Sequence, residues 1–163
     1  MTVRLRGHHL LCMLTYEGVG YTEKFARNFD AVVARIRGQE AIEIVDGPDD
    51  VCRAWIEAPE AGEPHCALHR IGKRDRLALE AVGRLLGQEL AAGWALVLTP
   101  DLLEELRARF RDGTLRQACA HCEWFDTCTA AAGAGFGNSL LALRRLPLAP
   151  DGPVGPPVRQ RIG

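Results

Sequence analysis

The sequence predicts an α+β fold: one small, helix-rich domain with a minor β component, built around a cysteine-rich metal site. Three observations predict it. Apolar residues recur at helical spacing in several separate stretches of the 163-residue chain, whereas clear apolar–polar alternation is confined to residues 41–45. Three thiols crowd into Cys119-Ala-His-Cys122-Glu-Trp-Phe-Asp-Thr-Cys128, a C-x2-C-x5-C spacing. All five histidines lie within four residues of a cysteine.

Residues 3–6 form a short extended entry. The apolar run from His8 to about Tyr16 suits a buried helix, stopped by Gly18 and Gly20. Thr22 is a good N-cap for a helix to about Arg37, with Phe25, Phe29, Val32, Val33 and Ile36 as its buried stripe. Ala41–Val45 alternates as a strand does. Asp46-Gly-Pro-Asp-Asp50 is a turn whose Asp can cap a short helix carrying Val51 and Cys52. Residues 56–68, with Pro59, Gly62 and Pro64, read as a loop ending on His65 and Cys66. A helix from about Lys73 to Leu86 turns Leu77, Leu79, Val82, Leu85 and Leu86 inward, and Trp94–Leu98 is apolar enough for a short strand. Thr99-Pro100-Asp101 starts a helix that reaches about Phe110. Thr114 caps a further short helix delivering Cys119.

Residues 1–130 then form the cysteine-rich domain, and residues 131–163 a C-terminal extension. Gly133–Gly137 reads as a flexible segment, and the proline-rich tail from about Pro150 as disordered.

Composition narrows the function. With 47% apolar and 25% charged residues the chain is an ordinary globular one, and its net charge of −1 gives no basic surface for nucleic acid. No apolar run approaches the roughly 18 residues of a membrane helix. His8 and His9 interrupt the only segment that could serve as a secretory leader, so the expected compartment is the cytoplasm. Cysteines there are ligands or buried thiols more often than disulfides. Ser139 is the only serine, in no nucleophile elbow, and no phosphate loop or dinucleotide fingerprint is present.

Two cysteines separated by two residues can grip one centre from a single turn, and a third thiol five residues on can close the same face. Such a trio still lacks a fourth ligand. Structural zinc most often takes two short-spaced pairs, and this chain has one, with Cys52 and Cys66 standing alone. Three close thiols plus one remote thiol suit a [4Fe-4S] cluster better, with zinc as the alternative. Cys119, Cys122 and Cys128 are the expected ligands, with Cys66 or Cys52 as the fourth. Cys12 is either a further candidate or a small core residue. His9, three residues before Cys12, can donate to a cluster sulfur, and Trp124 can shield the site from water.

The motifs Arg4-Leu-Arg-Gly-His-His-Leu-Leu-Cys12 with Gly18-Val-Gly-Tyr21 and Phe25, Val45-Asp-Gly-Pro-Asp-Asp-Val-Cys52, and Cys119-x2-Cys122-x-Trp124-x3-Cys128 occur in that order. Together they resemble the signatures of a bacterial and archaeal family, domain of unknown function 1284, over roughly residues 3–130. The resemblance implies iron–sulfur binding and keeps all six cysteines as candidates. One departure stands out: relatives typically carry a second cysteine with two residues between it and the one at Cys52, a position where this chain has Trp55. The expected function is electron transfer or redox sensing with a redox partner protein. The alternatives are a zinc-stabilised protein-binding module, or a thiol enzyme using Cys12 beside His8 and His9.

Overall fold

The structure is a computed structural model of the chain, and residues 1–57, 66 and 68–145 are described. Strand β1 (Thr2–Leu5) lies parallel to β2 (Ala41–Ile44), with Val3 opposite Ile42 and Leu5 opposite Ile44. A parallel pair needs a crossover, supplied by helices α1 (His9–Thr15) and α2 (Glu23–Arg37). Helix α3 (Arg53–Glu57) and the long α4 (His69–Leu86) come next. Strand β3 (Ala95–Leu96) pairs antiparallel with β2, which is central in the sheet. Helix α5 (Pro100–Arg111), a 3-10 turn (Arg116–Cys119) and α6 (Phe125–Gly133) complete the described elements. The fold is thus α+β, a helix-rich domain with a small sheet.

One face of the sheet is dry. Val3, Leu5, Ile42 and Ile44 are fully buried there, against a core that includes Leu10, Leu11, Met13, Leu14, Phe29 and Val33. The α2 stripe is the expected one, and the Thr22 and Thr99 hydroxyls accept from Phe25 N and Leu102 N as N-caps should. Among the described residues no helix is long and apolar enough to cross a membrane.

The structure departs from the sequence reading in three places. Helix α4 begins at His69 rather than Lys73, and its most buried residues are Ile71, Ala78, Ala81, Val82 and Gly83, while Leu77, Leu79, Leu85 and Leu86 are only partly buried. Close backbone approach explains Gly83, where a Cβ would meet Gln88 O at 2.5 Å. Thr114 caps no α-helix; its N–H donates to Asp112, and Leu115 is the residue flanking the 3-10 turn that starts at Arg116.

The third departure is the segment after residue 130. It is not a flexible extension as far as Arg145: α6 continues to Gly133, and Ala131, Ala132, Phe136 and Leu141 are buried in the core. The Arg107 and Arg111 guanidiniums cover the Phe136 ring at 4.9 and 5.3 Å from its centroid. Leu14 O, a carbonyl that the end of α1 leaves without a helical partner, accepts from Arg107 and from Ser139 Oγ, and Leu140 N donates to Tyr16 O. Small residues and a capping role leave no periodic apolar signal. The proline-rich tail and most of the loop expected at 56–68 lie outside the described residues.

Candidate metal centre

The chain makes a tight hairpin at Cys119–Cys122. Ala120 (φ −55°, ψ 130°) and His121 (φ 61°) give the dihedrals of a type II turn, closed by Cys122 N donating to Cys119 O at 3.0 Å. His121 therefore serves as the turn's left-handed corner, with its side chain exposed. Helix α6 then starts at Phe125 and carries Cys128 back to the same place. The fourth thiol is Cys12 on α1. Cys12, Cys119, Cys122 and Cys128 line one cavity of about 270 Å³ with Thr15, Arg74, Arg116 and Trp124. Neither Cys52 nor Cys66 reaches that cavity.

The thiols strongly affect one another. Burial pushes Cys12, Cys119 and Cys128 up from the ordinary thiol range, and the neighbouring thiols push in the same direction. Three groups act the other way: Thr15 Oγ1 donates to Cys128 Sγ at 3.2 Å, the Arg116 charge lies beside Cys119, and the Arg74 charge acts on Cys12 and Cys128. Burial opposes the Arg74 charge, but Cys12, Cys122 and Cys119 around it raise its pKa overall. Four thiols cannot all ionise in such a place unless a positive centre binds among them.

Spacing distinguishes what that centre could be. A tetrahedral zinc with Zn–S of about 2.3 Å holds its sulfurs about 3.8 Å apart. Among the described residues, the trio of ligand atoms that all lie within 4.8 Å of one another is His9, Asp49 and Cys52, and no three of the four thiols are that close.

Cys52 and Cys66 form a separate pair of thiols that act on each other. The neighbouring Cys66 thiol, followed by burial, raises Cys52; the Cys52 thiol, against burial and helped by His9 and Arg6, lowers Cys66. His9 sits between the two groups. Its Nδ1 bonds Asp49 Oδ2 at 2.6 Å, and it makes no hydrogen bond to the four thiols. His8 is held likewise by Asp75 Oδ1 at 2.6 Å, and Asp75 also accepts from Arg6 Nε and Nη2. Trp124 lies half-buried at the cavity wall, edge-on to Tyr21 at 5.5 Å between centroids, where it can limit water. Trp55 is buried beside Tyr21 and Phe25, with ring centroids at 4.9 and 6.2 Å.

Sequence reasoning missed Arg74, Asp75 and Thr15, which carry no local motif. Asp49 was visible as a cap, and it does accept from Val51 N and Cys52 N; its bond to His9 was not. A family model described as "Protein of unknown function (DUF1284)" matches residues 20–128. The chain belongs to that family. Of the four converging thiols, the DUF1284 match contains Cys119, Cys122 and Cys128, whereas Cys12 precedes it. No curated protein and no solved structure matches the chain.

Proposed function

We propose that Cys12, Cys119, Cys122 and Cys128 hold a [4Fe-4S] cluster and that this DUF1284 protein acts in electron transfer or redox sensing. The observation that carries the reading is the convergence of four thiols, from distant parts of the chain, on one cavity, the set that a cubane takes with one cysteine to each iron. When bound, such a cluster supplies one-electron exchange at a potential set by charge, hydrogen bonds to sulfur and exposure. Around it, Arg74 and Arg116 offset negative charge, Thr15 donates to a ligand sulfur, and Trp124 restricts water. Phe125, Tyr21 and Val19 border the cavity and are exposed, an apolar rim suited to brief contact with a redox partner protein. With every iron held by a protein thiolate, no open iron is left for substrate.

A Cys12 nucleophile is the less favoured reading, since burial raises this thiol where a nucleophile needs a lowered one. The test is anaerobic purification with iron, sulfide and zinc counts. About four irons and four sulfides per chain are expected, retained in Cys66→Ser and lost in Cys12→Ser. One zinc bound by the four thiols in place of iron would overturn the reading.

A further inference from the structure

A second cavity, of about 730 Å³, lies beside the four-thiol one and shares Arg74, Cys122 and Tyr21 with it. Its size falls within the roughly 300–1,000 Å³ that small-molecule pockets occupy. Two kinds of residue dominate its wall. Arg6, Arg70, Lys73 and Arg74 are cations, and among the described residues only the Glu123 carboxylate faces them. Tyr21, Phe25, Trp55, Ile71 and Leu77 are apolar, and the three aromatic rings meet edge to face with centroids 4.9 to 6.2 Å apart.

The cations differ in how far they are engaged. Arg6 is fully held, with Nε and Nη2 donating to Asp75 and Nη1 to Cys66 O. Arg74 Nε donates to Ala118 O at 3.1 Å. Arg70 and Lys73 are exposed and make no ion pair among the described residues. Residues 70, 73 and 74 are spaced i, i+3 and i+4, so their charges share one face of α4 near its start. Helix stability argues against that placement. Like charges at this spacing repel, cations near a helix N-terminus oppose its dipole, and the first turn of α4 holds no acid. A basic face that does not serve the helix, on the wall of a ligand-sized cavity, is accounted for by an anion that enters the cavity.

We infer that this cavity binds a small phosphorylated molecule with a planar ring, its phosphate held by Arg70, Lys73 and Arg74 and its ring packed against Tyr21, Phe25 and Trp55. Three cations on one face suit a dianionic phosphate better than a singly charged carboxylate, and an aromatic wall suits a ring. Because the two cavities share Arg74 and Cys122, the bound molecule would lie against the four-thiol site. Its binding does not rest on a cluster there.

Isothermal titration calorimetry of the full-length protein, purified anaerobically, tests the inference with three probes: adenosine 5′-monophosphate, inorganic phosphate and adenosine. The monophosphate should bind about tenfold or more tightly than either part alone, and more weakly as salt is raised. Arg70→Ala/Lys73→Ala, at two exposed positions, should weaken it about tenfold or more. Arg76→Ala/Arg84→Ala removes the same charge from α4 outside the cavity and should leave affinity within about twofold. The inference is overturned if the monophosphate does not bind, if inorganic phosphate or adenosine binds as tightly, or if the two double variants lose affinity equally. Iron counts on the same samples keep the two readings apart: a sample without iron that binds the monophosphate sinks only the cluster.

Discussion

Gly7 and Asp75 touch backbone to backbone: a Cβ added to Gly7 would lie 2.4 Å from Asp75 O. This contact brings the start of α1 against α4, so that the Asp75 carboxylate reaches both His8 and Arg6. Gly7→Ala should therefore force the elements apart, costing about 1–3 kcal/mol as overpacking does. A thermal or urea melt checks it, and an unchanged midpoint would show that the two elements can slide freely.

Thr15 donates a 3.2 Å hydrogen bond to Cys128 in the four-thiol cavity, where it would tune the cluster proposed above. Thr15→Val keeps the shape and removes the donor. Metal content should stay the same, while the reduction potential should fall, because a hydrogen bond to a thiolate favours the more electron-rich state. A potentiometric titration reads the shift; an equal or higher potential in the variant rules the donor role out.

His121 lies between two of the proposed ligands yet is expected to bind nothing. Its positive φ of 61° is a strained left-handed state for a non-glycine residue. His121→Gly relieves roughly 1 kcal/mol of strain, offset by the roughly 0.5–1 kcal/mol of backbone freedom that glycine regains on unfolding. Stability and metal content should both stay near wild type. A drop in bound metal would identify the imidazole as a ligand after all.

His8 makes the fold sensitive to acid. Burial, then the adjacent His9, hold it down at about 3 from an ordinary 6.5. Between those values the unfolded chain takes up a proton that the folded chain refuses. Stability is full above about pH 6.5 and falls as pH drops towards 3, by at most about 1.4 kcal/mol per pH unit for one proton. Asp75, lowered despite burial by its bonds to His8 and Arg6, adds a loss in the same direction below its ordinary 3.8. Urea melts from pH 7.5 to 5 should show a flatter slope for His8→Gln than for wild type. Parallel slopes would mean that His8 does not titrate as described.

The sequence made the repetitive parts of this molecule legible. Helix α2 announces itself by a threonine cap and five apolar residues in helical phase, and all five are buried. The C-x2-C-x5-C segment likewise identified three of the converging thiols. Cys12 was harder to read because an apolar helix around a thiol looks the same whether that thiol packs or binds. Arg74 and Asp75 became meaningful only once α4 lay across α1, a long-range event with no local signal. Residues 131–141 were misjudged for the opposite reason: their alanines and single serine look featureless until Arg107 and Leu14 supply partners.

The four-thiol cavity draws one thiol from α1 and another from α6, with most of the described elements between them in the chain. During synthesis Cys12 leaves the ribosome long before Cys128 exists, so the cluster proposed here would be completed late, after the intervening elements have been made. Loading would then be a closing step, and losing the cluster would release α1 and α6 from each other at once.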